Sequence, residues 1–322
     1  MLIDAIELFH LRLPATDTVL VRLASGTQSG WGEACVGREP VESPEWAGGV
    51  FACLRDFLAP VVRGQSIISG DQLQELVAKY QGNAAAKSAL DCAWWDLQAK
   101  THATTVSKML GGAREMIETC ITLDVMPTID DLVNHITALQ LTGAVIVLKF
   151  RPGWDEQMLR AVRQMFPTVP LAIDCDGCCQ LGQREMLYRL DDFMLRWIEQ
   201  PFSANDLVAH AMLQETIRTP ICLHQSITSL DRAEQAIDLG SCKLMKLDPT
   251  LIGGLTPTRA VYESCLASKL PLAVGGKYAT PAGRAALTAL ASLEGFSLAA
   301  EIGEEVAEKD RLLETAIDRV VL

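Results

Sequence analysis

The chain has 322 residues, 49% of them hydrophobic and 21% charged, which supplies a large core and excludes a disulfide-stapled module or a disordered tail. At roughly 150 residues per domain, the length suggests two domains. The net charge is −12 with no compensating basic run, which argues against nucleic acid or an anionic membrane surface as partner.

No stretch reaches the ~18 apolar residues of a membrane span, and the first residues lack a basic leader, so neither spanning nor export is expected. The ten cysteines are scattered, several inside apolar runs such as Pro220-Ile221-Cys222-Leu223. That is the distribution of free core thiols, and it points to a reducing, cytoplasmic compartment. One cluster, Cys175-Asp176-Gly177-Cys178-Cys179, resembles half of a zinc site, but no second Cys/His pair at finger spacing completes it.

In chain order, Ile3–Leu13, Thr18–Leu23 and Gly30–Val36 alternate apolar and polar residues between turn signals, which predicts a three-stranded antiparallel meander. From Pro44 to Leu110 the period becomes helical and closes at Gly111-Gly112. Residues 1–115 therefore read as a small α+β domain. Beyond residue 116, short aliphatic runs alternate with helical stretches: Thr119–Leu123, Val145–Lys149, Leu171–Asp174, Leu195–Glu199, Ile221–His224, Lys243–Asp248, Leu272–Gly275 and Phe296–Ile302. Eight strands interleaved with helices predict a parallel (β/α) barrel over residues 116–302.

The runs end on Lys149, Asp174, Glu199, His224 and Asp248, at intervals of 25, 25, 25 and 24. Each βα unit thus delivers one ionisable side chain to the same rim, the face where barrel active sites are built. Strands do end at the surface, but only roughly a quarter of residues are charged, so five in succession mark a site.

Asp174 and Glu199 on neighbouring strands would repel one another unless a cation sat between them, and Mg²⁺ is the hard ion suited to such oxygen ligands. His224 on the next strand would be a third ligand, a softer one that favours Mn²⁺ or another divalent metal. The alternative is that His224 hydrogen-bonds beside a site with no cation.

The motifs Gly30-Trp31-Gly32-Glu33, Ser43-Pro44-Glu45 and Lys87-Ser88-Ala89-Leu90-Asp91-Cys92-Ala93-Trp94-Trp95-Asp96-Leu97 precede the barrel. Leu148-Lys149-Phe150-Arg151-Pro152-Gly153, Ile173-Asp174, Trp197-Ile198-Glu199-Gln200-Pro201-Phe202 and Ile252-Gly253-Gly254-Leu255-Thr256 run through it. In this order they resemble the enolase superfamily, in its muconate-lactonizing branch, and most of all the o-succinylbenzoate synthases and N-acylamino acid racemases. The resemblance implies a modified (β/α)7β TIM-type barrel beneath an N-terminal α+β capping domain, with residues 303–322 returning to the cap. It implies Mg²⁺ on three strand-end acids, a small carboxylate substrate that loses its α proton, two opposed lysine bases and a homo-oligomer.

The departures from the family pattern are concentrated at the chemistry. Lys149 is kept, but Arg151 replaces the lysine base of the second strand, and arginine stays protonated at neutral pH. Asp248 stands where the opposing lysine belongs, His224-Gln225 replaces the third acid and its neighbour, and Lys277 stands where Met is usual.

Two readings follow. One is an altered enzyme in which Lys277, beside Asp248, is the base. The other is a non-catalytic descendant that keeps the fold and binds a carboxylate or a partner, with Arg151 offering a bidentate fork.

Overall fold

The computed structural model describes residues 1–14, 16–41, 43–139, 143–150, 153–276, 280–302 and 316–322. The strands among them are β1 (Ala5–Arg12), β2 (Asp17–Ser25), β3 (Gln28–Ala34), β4 (Cys120–Leu123), β5 (Val145–Lys149) and β6 (Leu171–Asp174). They continue with β7 (Ile198–Glu199), β8 (Ile221–Leu223), β9 (Leu244–Leu247), β10 (Leu272–Val274) and β11 (Ala316–Val321).

The expected meander forms as β1-β2-β3, and β11 adds antiparallel to β1 with Val321 opposite Glu7. The reason for the Gly-Trp-Gly-Glu motif is contact with the helix Ala84–Thr101. A Cβ on Gly30 would lie 2.2 Å from the Ala93 carbonyl oxygen, and one on Gly32 would lie 1.9 Å from that of Ala89. Only glycine lets strand and helix approach so closely. Between them, the Trp31 N–H donates to Asp96 Oδ2 at 2.8 Å.

Two buried carboxylates fasten this layer to the barrel. Glu33 Oε2 accepts from Thr280 N (3.1 Å), Thr280 Oγ1 (2.7 Å) and Gly283 N (3.2 Å), capping the helix Pro281–Ala291 from a distant part of the chain. Asp91 Oδ2 accepts from Thr256 N at 2.9 Å, and a Cβ on Gly254, whose φ is +126°, would lie 2.5 Å from that carboxylate.

Seven parallel strands form one sheet in the order β10-β9-β8-β7-β6-β5-β4. The expected eighth run, Phe296–Ile302, is not a regular strand. It closes the curl all the same: Leu298 N and Glu301 N donate to Leu272 O and Val274 O, while Ala300 exchanges bonds with Glu118 O and Cys120 N. Two bonds to each neighbour are too few for a continuous ladder.

Inside the curl, Cys120, Val147, Ala172, Trp197, Cys222, Leu244 and Ala299 pack as one apolar cluster. Side chains on a strand face the same way every second residue. Two residues further along each chain segment stand Thr122, Lys149, Asp174, Glu199, His224, Lys246 and Glu301, a polar layer resting on an apolar plug.

Candidate functional site

Strand register brings the first three acids and bases side by side. Lys149 is opposite Asp174, and Asp174 is opposite Glu199. Lys149 Nζ lies 2.6 Å from Asp174 Oδ2 and 2.6 Å from Asp176 Oδ2. The turn after β6 makes this double contact possible: Asp176, at φ 45°, donates its N–H to Asp174 Oδ1 at 3.0 Å and folds its carboxylate back over the lysine. Gln225 Nε2 holds the other Asp176 oxygen at 2.9 Å. Burial pulls the Lys149 pKa down, but the two carboxylates outweigh it and hold the ammonium above its ordinary range. Burial and the adjacent Glu199 push Asp174 up to about 6 in spite of Lys149.

The second half of the layer is organised by Lys246, which sequence reasoning missed. Its side chain is 1% exposed, and its Nζ lies 2.5 Å from Glu199 Oε2 and 3.0 Å from Glu301 Oε2. Thr122 Oγ1 donates to the other Glu301 oxygen at 2.5 Å. On the far side of Glu199, His224 Nδ1 lies 3.1 Å from Oε1, and His224 Nε2 lies 3.8 Å from Asp248 Oδ2.

Both Glu199 contacts are ion pairs by distance. Its oxygens lack well-aligned hydrogen bonds, yet each faces a cationic group. Burial raises the Glu199 carboxyl, but Lys246 and His224 outweigh that and hold it well below the carboxylate range. Burial lowers His224, but Asp248 and Glu199 outweigh it and push the imidazole up to about 9. Lys246 sits well above its ordinary value, since Glu199 and Glu301 overcome its burial. The layer is therefore a chain of alternating charges.

The signal for Lys246 was the two-residue period. In Leu244-Met245-Lys246-Leu247-Asp248, Lys246 and Asp248 share the inward face, one level apart, and counting only strand ends finds Asp248 alone. The neighbouring strand makes room for both. A Cβ on Gly275 would lie 2.5 Å from Lys246 Cδ, and one on Gly276 would lie 2.9 Å from the Asp248 carboxylate. Asp248 also accepts from Thr250 N at 2.7 Å, so its carboxylate starts the helical turn Pro249–Ile252 as well as facing His224. Arg151 and Lys277, the other two residues expected at the rim, lie outside the described residues.

The family resemblance implies a divalent cation here, and the donor set does not suit one. Two of the three expected ligands, Asp174 and Glu199, already carry ammonium groups at 2.6 and 2.5 Å, and the third, His224, turns its two ring nitrogens to Glu199 and Asp248. Among the described residues, no group of three or more His, Cys, Asp or Glu side chains is arranged to hold a metal. No helix among them is long and apolar enough to cross a membrane.

Comparison with known proteins agrees with the geometry of the fold. Residues 13–111 match the mandelate racemase/muconate lactonizing enzyme N-terminal domain, and residues 128–319 match the enolase C-terminal domain-like family. The chain is 36% identical to the o-succinylbenzoate synthase of Bacillus subtilis over 275 residues, 85% of this chain and 74% of that one. It is 35% identical to an N-succinylamino acid racemase of Amycolatopsis over 303 residues, 94% of this chain and 81% of the relative. A solved enolase-superfamily structure from Listeria innocua superposes with a TM-score of 0.92 at 25% identity, covering 100% of this chain and 99% of that one. The muconate lactonizing enzyme of Pseudomonas putida shares the fold, with a TM-score of 0.85 at 22% identity over 94% of this chain and 88% of its own. With both family domains matched in order over a capped parallel barrel, the chain belongs to the enolase superfamily, among relatives of the o-succinylbenzoate synthase and N-succinylamino acid racemase type.

Proposed function

We propose that this chain is a non-catalytic descendant of the o-succinylbenzoate synthase-like enzymes, one that keeps the barrel and binds a small carboxylate without removing its α proton. The observation that carries this reading is Lys246 Nζ at 2.5 Å from Glu199, an ammonium on a carboxylate that the family resemblance gives to the metal. Proton abstraction next to a carboxylate needs a concentrated positive charge for the developing enediolate and an unprotonated base. Lys149 and Lys246 are both held protonated by paired acids, and His224, at about 9, is protonated at neutral pH. Asp174, at about 6, is ionised but clamped to Lys149. Arg151, two residues past Lys149, supplies the fork for a carboxylate in this reading. The ten free thiols support a reducing, cytoplasmic setting.

The test is incubation with N-succinylamino acids and Mg²⁺ or Mn²⁺ in D₂O. The expected outcome is no α-proton exchange and a carboxylate-dependent rise in melting temperature that Arg151→Ala removes. Metal-dependent exchange would overturn the proposal. If that exchange disappeared in Lys277→Ala, the altered-enzyme reading with Lys277 as base would take its place.

A further inference from the structure

The cysteine cluster after β6 belongs neither to the polar layer nor to the apolar plug. Asp176 at φ 45° and Gly177 at φ 71° are consecutive left-handed residues, and Cys178 N–H donates to the Cys175 carbonyl at 2.9 Å. That is a type I′ turn, for which Asp-Gly is a favoured pair. Its ends are the two cysteines of Cys175-Asp176-Gly177-Cys178. The ends of a β-turn lie within about 7 Å of one another, which overlaps the Cα separation of about 4.4–6.8 Å that a disulfide spans.

Three thiols meet at this turn. Cys179 lies near enough to both Cys175 and Cys178 to perturb their thiols. Cys175 and Cys179 are buried, while Cys178 is exposed. A cavity of about 250 Å³ touches the cluster at Cys179 alone, the rest of its lining including Phe150, Gln183, Met186 and Arg189. The other seven cysteines are buried, with none in an exposed position. The cluster thus combines a solvent-facing entry thiol with a buried resolving thiol across a tight turn.

We infer that Cys175 and Cys178 form an oxidisable dithiol site that takes low-molecular-weight disulfides as its oxidant. The Cys178 thiolate attacks one sulfur of the small disulfide, forming a mixed disulfide and releasing one small thiolate. The Cys175 thiolate then attacks the Cys178 sulfur, forming the internal disulfide and releasing the second. Two protein thiols are oxidised, one small disulfide is reduced to two thiols, and the two protons go to solvent or to the released thiolates.

Contact with Cys179, partial desolvation of the sulfur and the Asp176 charge push the Cys178 thiol up, so the site responds slowly and responds faster as pH rises. Asp176 lies inside this turn and Asp174 immediately before it, and both pair with Lys149.

The experiment treats the folded, reduced protein with oxidised glutathione, then counts thiols in denaturant and maps the linkage by mass spectrometry. The expected product has two thiols fewer than the original ten, with Cys175 joined to Cys178. Its rate should rise about tenfold per pH unit above neutrality, following the thiolate fraction. Cys178→Ser, a change at an exposed position, should stop the reaction, and Cys179→Ala should allow it. An unchanged thiol count, a linkage between Cys178 and Cys179, or undiminished internal disulfide formation in Cys178→Ser would each overturn the inference.

Discussion

Lys246 Nζ and Glu199 Oε2 lie 2.5 Å apart at the centre of the barrel, with the lysine 1% and the glutamate 0% exposed. A buried pair of this kind contributes little net stability over an apolar filling, because both charges were taken out of water, but breaking it from one side is costly. Lys246→Met should therefore cost about 3–5 kcal/mol by leaving Glu199 uncompensated. The double variant Lys246→Met/Glu199→Gln should recover most of that loss. Urea unfolding of the three proteins checks the pair, and a Lys246→Met variant as stable as the parent would refute it.

Removing the ammonium should also expose an acidic site. In Lys246→Ala, Glu199 and Glu301 would face a space without their strongest counter-charge, and Asp174 would keep Lys149 but lose a second, weaker one. Mn²⁺ should then raise the melting temperature of Lys246→Ala by several degrees and leave the parent unchanged, with bound Mn²⁺ visible by electron paramagnetic resonance. Equal binding to both proteins would show that the lysine does not occupy the cation's place.

The barrel was legible because its strands are short aliphatic runs of constant spacing, and Lys149, Asp174, Glu199 and His224 of the polar layer were legible from the same spacing, which found Asp248 one level beyond it. Lys246 was not, because it sits one level below the strand end in a run where Asp248 already satisfied the count. The eighth run has the composition of a strand, but its pairing is divided between two neighbours. Pair partners were invisible for a more general reason. Nothing in the sequence near Asp176 says that its carboxylate turns back onto Lys149, since that depends on a left-handed residue in a turn.

His224 sets a pH window. Its folded pKa of about 9 exceeds the ordinary 6.5, so the folded state holds the proton more tightly. The resulting stability is complete below about pH 6.5 and is lost as pH rises through about 9. Asp174, also raised, contributes in a lower window: its share is present below about 4 and is lost as pH climbs through about 6. The melting temperature should thus fall between neutrality and above pH 9, by an amount equivalent to at most about 3 kcal/mol for His224. His224→Gln should flatten this alkaline limb and leave the acidic one. An alkaline limb unchanged in the variant would assign the loss to other groups.

Glu33 tests how the two layers are joined. Its carboxylate is 1% exposed, accepts from Thr18 Oγ1 at 2.9 Å, and caps the Pro281–Ala291 helix through Thr280 and Gly283. The Gly-Trp-Gly-Glu motif is thus a packing device at its glycines and a cross-domain cap at its acid. Glu33→Gln keeps the shape but removes the charge and points an amide NH₂ at donors, leaving at least one buried partner unmet. Buried donors left without an acceptor cost about 1–3 kcal/mol, more when a charged partner is lost, so about 2–4 kcal/mol is expected. Glu33→Asp, one methylene short of the helix end, should lose a similar amount while keeping the charge. Denaturant unfolding with amide exchange on residues 280–291 separates the outcomes: loss of protection in that helix with the β1–β3 sheet still protected locates the damage at the joint. Loss confined to the β1–β3 sheet, with residues 280–291 still protected, would mean that Glu33 supports the cap alone.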